Sequence, residues 1–79
     1  MRPKPRMTPD EFEVVRARLR SRISERRLEA ARLALVEGLT LQIVADKFKW
    51  RSRQSVYDCC VVARAELADY HKMVAMLTR

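Results

Sequence analysis

Apolar residues recur three and four positions apart along most of the chain, the spacing of amphipathic helices, with no sustained alternation that would suggest strands. A first helix starts at Thr8-Pro9-Asp10-Glu11. Thr8 is the N-cap, Pro9 takes the first helical position, and Glu11 stands where a capping box needs it. Phe12, Val15 and Leu19 face inward, with Ile23 beyond them. The apolar phase breaks between Ile23 and Leu28, so Ser24 is read as the cap of a second helix. That helix carries Leu28, Ala31 and Leu35 inward, flanked by Ala30, Ala34 and Val36. Gly38 ends it, suited to a left-handed terminal position, and Glu37-Gly38 forms a hinge. Thr40 then caps a third helix with Leu41, Val44 and Phe48 on one face and a small Ala45 where a neighbouring helix would cross. After the turn Lys49-Trp50-Arg51, with Trp50 tucked in as an apolar plug, Ser52 caps a fourth helix whose inner stripe is Val56, Cys59, Cys60 and Ala63.

From Ser52 to Thr78 there is no glycine or proline. Val56, Cys60, Ala63, Leu67, Tyr70, Val74 and Leu77 alternate four and three residues apart, a heptad-like seam. The first half of the seam must pack within the domain. The second half, flanked by Met73 and Met76, has few local partners, so Leu67, Tyr70, Val74 and Leu77 are expected to form a homodimer interface. The alternative is a bend near Asp69-Tyr70-His71 that folds the last turns onto the first helix. The expected fold is all-α, a small bundle of four to five helices containing a helix-turn-helix and ending in a long helix. Its parts are a flexible basic arm over residues 1–7, a domain over 8–66 and a C-terminal dimerisation segment over 67–79.

Charge narrows the functional classes. With 17 Lys plus Arg against 10 Asp plus Glu in 79 residues, a net charge of +7 and a pI near 10.3, the chain is suited to polyanions. Its 48% hydrophobic content and single glycine argue against a disordered basic tail. One domain of this length buries a modest core, which makes a dimer physically attractive. No apolar run matches a membrane span and no signal peptide is recognisable, so a cytoplasmic location is expected. Cys59 and Cys60 are adjacent, cannot easily bridge each other and lack zinc spacing, which leaves them as small buried hydrophobes. His71 has no acid, nucleophile or metal ligand placed to work with it and is read as a surface residue. There is no Gly-rich phosphate loop and no paired-carboxylate site, so neither catalysis nor a cofactor is expected.

The arginines have several assignments. Arg16, Arg18, Arg20 and Arg22 are expected to spread around the first helix as solubilising charge, and Arg26, Arg27 and Arg32 to face solvent or phosphate. Met1 to Arg6 could reach a minor groove, although a solvated tail is the commoner outcome for such an arm.

Candidate chemistry concentrates between Thr40 and Ala63. Two short helices joined by a basic turn read as a DNA-binding helix-turn-helix, and the first turns of its second helix would enter the major groove. Those turns present Arg53, Gln54, Ser55, Tyr57 and Asp58 away from the apolar stripe. Arginine can pair bidentately with guanine O6 and N7, glutamine with adenine N6 and N7, and serine and the helix N-terminus suit phosphate oxygens. Thr40, Gln42, Arg51 and Ser52 complete the candidate DNA-binding set.

The order of these parts resembles the KorA/TrfB family of small plasmid-encoded transcriptional repressors. The resemblance spans roughly Met7 to Leu67 and rests on the capped MTPDEF start, on AARLALVEG and on SRQSV, with Val56 four residues after the Ser52 cap. It implies a dimer that binds palindromic operators and silences plasmid replication, maintenance or transfer genes. By position, Ser52 and Arg53 match the Thr-Arg that opens the family's recognition helix, followed by Gln54, Ser55, Tyr57 and Asp58. The chain departs from the family in a turn one residue longer and in ending soon after the motif, where longer members continue into a separate dimerisation segment. The competing expectation is a basic helical adaptor that binds an acidic protein or RNA without sequence specificity.

Overall fold

Each helix begins on a side-chain hydroxyl that accepts a backbone N–H, as the spacing of Ser and Thr predicts. A computed structural model describes residues 6–78 and contains four of these helices: α1 (Pro9–Leu19), α2 (Glu25–Leu35), α3 (Leu41–Lys47) and α4 (Arg53–Leu77). Thr8 Oγ1 accepts from Glu11 N at 3.1 Å while Glu11 Oε1 accepts from Thr8 N at 2.9 Å, a complete capping box. Ser24, Thr40 and Ser52 accept from the N–H of Arg27, Ile43 and Gln54 at 3.3, 3.2 and 3.2 Å. The break after α2 falls on Gly38, whose φ of 75° is readily reached only without a Cβ.

The N-terminal half of α4 is central to the bundle and packs on α1, α2 and α3. Its inner face, Val56, Cys59, Cys60 and Ala63, is buried against Phe12, Val15 and Leu19 of α1, Leu28, Ala31 and Leu35 of α2, and Val44 and Ala45 of α3. Leu33 is buried too, outside the face read from the sequence. The reason is that α2 touches both α3 and α4, so more than one stripe of it is covered.

Residues 6 and 7, expected to belong to a flexible arm over residues 1–7, are docked on the bundle. Residues 1–5 lie outside the described residues, as does the minor-groove role considered for them, but Met7 is only 3% exposed. The N–H groups of Arg6 and Met7 both donate to Leu35 O, at 2.9 and 3.2 Å, which lays this segment along the end of α2.

Arg20 and Arg27 are exposed as expected, but other arginines around α1 and α2 depart from expectation. Instead of spreading into solvent, Arg18 Nε and Arg22 Nη2 converge on one carboxylate, Glu66 of α4, at 2.7 and 2.9 Å. Arg16 reaches Glu25 and Glu29, and Arg32 binds Glu29 and Glu37. The hydrogen bond from Arg18, reinforced by Arg22, holds the Glu66 carboxyl below its usual range, and the bond from Arg32 does the same for Glu29.

Helix α4 runs unbroken for 25 residues, so the bend considered at Asp69-Tyr70-His71 is absent. Leu67 packs against the core and Tyr70 is half-buried, with the Arg18 guanidinium 5.9 Å from its ring centre. His71 is exposed, with Nε2 3.7 Å from Glu11 Oε2. Beyond it Met73, Val74, Met76 and Leu77 are exposed, Leu77 to 76%. Among the described residues no helix is long and apolar enough to cross a membrane.

Glu66→Gln is expected to cost about 1–2 kcal/mol of stability, since it removes a charge shared by two guanidinium groups at a partly exposed site. A carboxylate depressed by folding adds its stability in full above its ordinary value, here 4.5, and loses it as pH falls through the lower folded value. The gap between parent and variant in urea melts should therefore be constant near neutral pH and close in acid. A gap that persists at about pH 2 would show that the carboxylate's charge is not the source.

Candidate nucleic-acid interface

The link between α3 and α4 is built on a reversal at Lys49. Its φ of 58° makes it the one non-glycine residue in the left-handed region among the described residues. The reversal lets Trp50 N–H donate to Ala45 O at 2.9 Å, and Lys49 N–H donates to Asp46 O at 3.1 Å. Carbonyls freed at the end of α3 are thereby occupied before the chain restarts at Ser52. Arg26 of α2, expected to face solvent or phosphate, instead donates to Phe48 O, and its guanidinium carbon lies 5.5 Å from the Phe48 ring centre. Phe48 stacks on Trp50, ring centres 5.3 Å apart and planes inclined by 26°. Trp50 is therefore only half-buried, a cover on the edge of the core and not the plug beneath it that the sequence suggested. Its place next to Phe48 and Arg26 explains this, because those two groups already close the space between α2 and the turn.

Beyond the Ser52 cap, Val56 is fully buried while Arg53, Gln54, Ser55, Tyr57 and Asp58 are exposed. The face read from the sequence is thus presented together on the first two turns of α4. Asp58 is engaged locally, its Oδ1 accepting from Gln54 Nε2 at 3.0 Å. That bond leaves Gln54 one amide hydrogen and its carbonyl oxygen, the donor and acceptor that pairing with adenine requires. The same arrangement occurs on α3, where Gln42 Nε2 donates to Asp46 Oδ1 at 2.9 Å. The Thr40 and Ser52 hydroxyl oxygens accept backbone N–H groups as caps, and each retains a hydrogen to donate. Thr40 opens α3 next to a cleft that Tyr57 also lines.

The electrostatics of the surface are uneven. Arg16, Arg18, Arg22 and Arg32 are taken up by glutamates on the side of α1 and α2. Around the start of α4, Lys47, Lys49, Arg51 and Arg53 are exposed and make no ion pair among the described residues. The nearby acids Asp46 and Asp58 are each engaged by a glutamine. Arg27, at the start of α2, shares a surface hollow with Lys49, Trp50 and Ser55. Arg27, Lys47 and Lys49 are thus brought to this surface from outside the candidate set. The basic turn pointed to Lys49, and Arg27 was expected to face solvent or phosphate, but a charge leaves no periodic trace of which surface it joins.

Cys59 and Cys60 lie on the inner face of α4 as free thiols. Burial pushes both up, Cys60 to about 11, which disfavours the thiolate needed for nucleophilic or metal chemistry. Comparison of the chain with protein-family models, curated proteins and solved structures found no match.

Trp50→Ala is expected to lower stability by about 1–2 kcal/mol, less than loss of a fully buried aromatic, since the ring is only partly buried and loses its stacking on Phe48 and its contact with the edge of the core. Chemical denaturation measures this directly. A loss above about 4 kcal/mol would return Trp50 to the interior of the core.

Proposed function

We propose that the protein is a sequence-specific transcriptional repressor that binds double-stranded DNA as a homodimer. The observation that carries this reading is the gathering of cations without ion pairs around the start of α4, beside a polar face, while Arg16, Arg18, Arg22 and Arg32 are held by glutamates. In this reading α3 and α4 act as a helix-turn-helix and the first turns of α4 lie in the major groove. Arg53 reads guanine, and Gln54, held by Asp58, reads adenine. Ser52, Ser55, Arg51, Lys47, Lys49 and Arg27 hold phosphates, with Thr40 and Gln42 supporting from α3, and Tyr57 flanks the base contacts. Asp58 acts as a positioning residue for Gln54, because a carboxylate facing phosphate would be repelled.

The dimer half of the proposal is supported by Met73, Val74, Met76 and Leu77, apolar side chains exposed at the end of α4. Since Leu67 and Tyr70 are partly used within the domain, the contact centres on Val74 and Leu77. A contact this short suits two helices that cross steeply. The seam lies about 28 Å along α4 from its first turn, at 1.5 Å per residue. Two arms of that length set their first turns about 34 Å apart, one turn of DNA, when the axes diverge by about 75°. The operator would then be an inverted repeat. Control of plasmid maintenance or transfer genes follows from the resemblance to the KorA/TrfB repressors, and a DNA target implies action in the cytoplasm.

Arg53→Ala and Gln54→Ala should each weaken operator binding by about 1–3 kcal/mol and relax base preference while the melting temperature is kept. Operator fragments selected from genomic and plasmid DNA, competed against random duplex at physiological salt, provide the assay. A preference of about a thousandfold or more is expected. Equal affinity for random duplex, or tighter retention of RNA or an acidic protein, would favour the adaptor reading.

Changing Val74 and Leu77 together to Asp should convert a dimer to a monomer by sedimentation, with repression lost and helical content largely kept. Full operator affinity from a parent protein that sediments as a monomer at micromolar concentration would refute the dimer.

A further inference from the structure

Helices α2, α3 and α4 leave between them a cleft of about 300 Å³, which shares only Thr40 and Tyr57 at its edge with the DNA reading. Its walls are chiefly apolar, with Leu35, Leu39, Leu41 and Val61 among the lining residues. Two guanidinium groups belong to the same lining, Arg6 from the segment before α1 and Arg64 from α4, and no Asp or Glu accompanies them. Neither arginine makes a side-chain hydrogen bond or ion pair among the described residues. Both line the cleft together with Cys60.

Arg16, Arg18, Arg22 and Arg32 are held by glutamates, and other arginines unpaired among the described residues, such as Arg20 and Arg27, stand exposed, whereas Arg6 and Arg64 stand beside an apolar hollow. An apolar body without charge would leave both cations uncompensated. A small polar anion would gain nothing from the leucines. We infer that this cleft binds an amphipathic carboxylate, a short acyl or aromatic body seated among Leu35, Leu39, Leu41 and Val61 with its carboxylate held by Arg6 and Arg64. The volume suits a small ligand, at the lower end of the range for such pockets.

The test needs no DNA, so its outcome is separate from that of the repressor reading. The full-length protein is titrated with the fluorescent apolar sulfonate 1-anilinonaphthalene-8-sulfonate and then with decanoate or decanol as competitor. Saturable one-to-one binding is expected, displaced by decanoate but not by decanol at equal concentration. Arg64→Gln should weaken the sulfonate by about fivefold or more, while uncharged N-phenyl-1-naphthylamine is little affected by that change. Val61→Trp, at a position already 44% exposed, should fill the cleft and abolish binding of both dyes while the thermal melt is kept. Absence of saturable binding overturns the assignment. So does binding indifferent to both substitutions, or a dimer in the parent that Val61→Trp dissociates, which would make the cleft a subunit contact.

Discussion

Burial of one face of α4, Val56, Cys59, Cys60 and Ala63, against the other three helices is the contact on which the rest of the structure depends. None of these side chains is large, so each contributes about 1–2 kcal/mol by area and the face as a whole only several. Its importance lies in geometry. Small side chains let α1, α2 and α3 approach a single axis closely, and one orientation of α4 then satisfies three partners at once. That orientation obliges Arg53, Gln54, Ser55, Tyr57 and Asp58 to face outward. The exposed polar face is therefore a consequence of the core and is held as rigidly as the core is.

What could be read along the chain was whatever neighbouring residues decide. The four hydroxyl caps, the stop at Gly38 and the inner stripes all express interactions within about four residues of sequence, where helix geometry leaves few choices. The candidate face was legible for the same reason, since it is what remains after the buried stripe of α4 is removed. Long-range pairing was not. Arg18 and Glu66 are 48 residues apart, and nothing near either identifies the other. Arg26 seeking Phe48 O, Met7 docking under Leu35 O and Leu33 entering the core belong to the same class, as does the partial exposure of Trp50. Each depends on which helix lies alongside, a question that periodicity leaves open.

The two ends of α4 meet different demands. Its first half is fixed on three sides, whereas after Tyr70 the helix leaves the bundle and its apolar residues stand in solvent. Exposed Met76 and Leu77 would ordinarily be a liability for a small basic domain. Nothing within the described residues covers them, and the proposed second subunit would give them a partner.

The division of the basic residues into engaged and unengaged sets also bears on how freely the chain can drift in sequence. Among the described residues the Lys and Arg side chains engaged by the fold are all arginines: Arg16, Arg18 and Arg22 link separate elements through glutamates, Arg26 reaches a carbonyl, and Arg32 binds glutamates on and just after its own helix. Lys47 and Lys49 occur in the unpaired group. A planar fork can serve two acceptors from a fixed position and lie against an aromatic ring, and an ammonium group cannot. Lysine in place of Arg18 or Arg26 would keep the net charge and loosen the bundle, whereas the same exchange at Arg51 would leave the fold untouched. Equal charge therefore conceals two kinds of position, one constrained by architecture and one whose exchange leaves the fold unchanged.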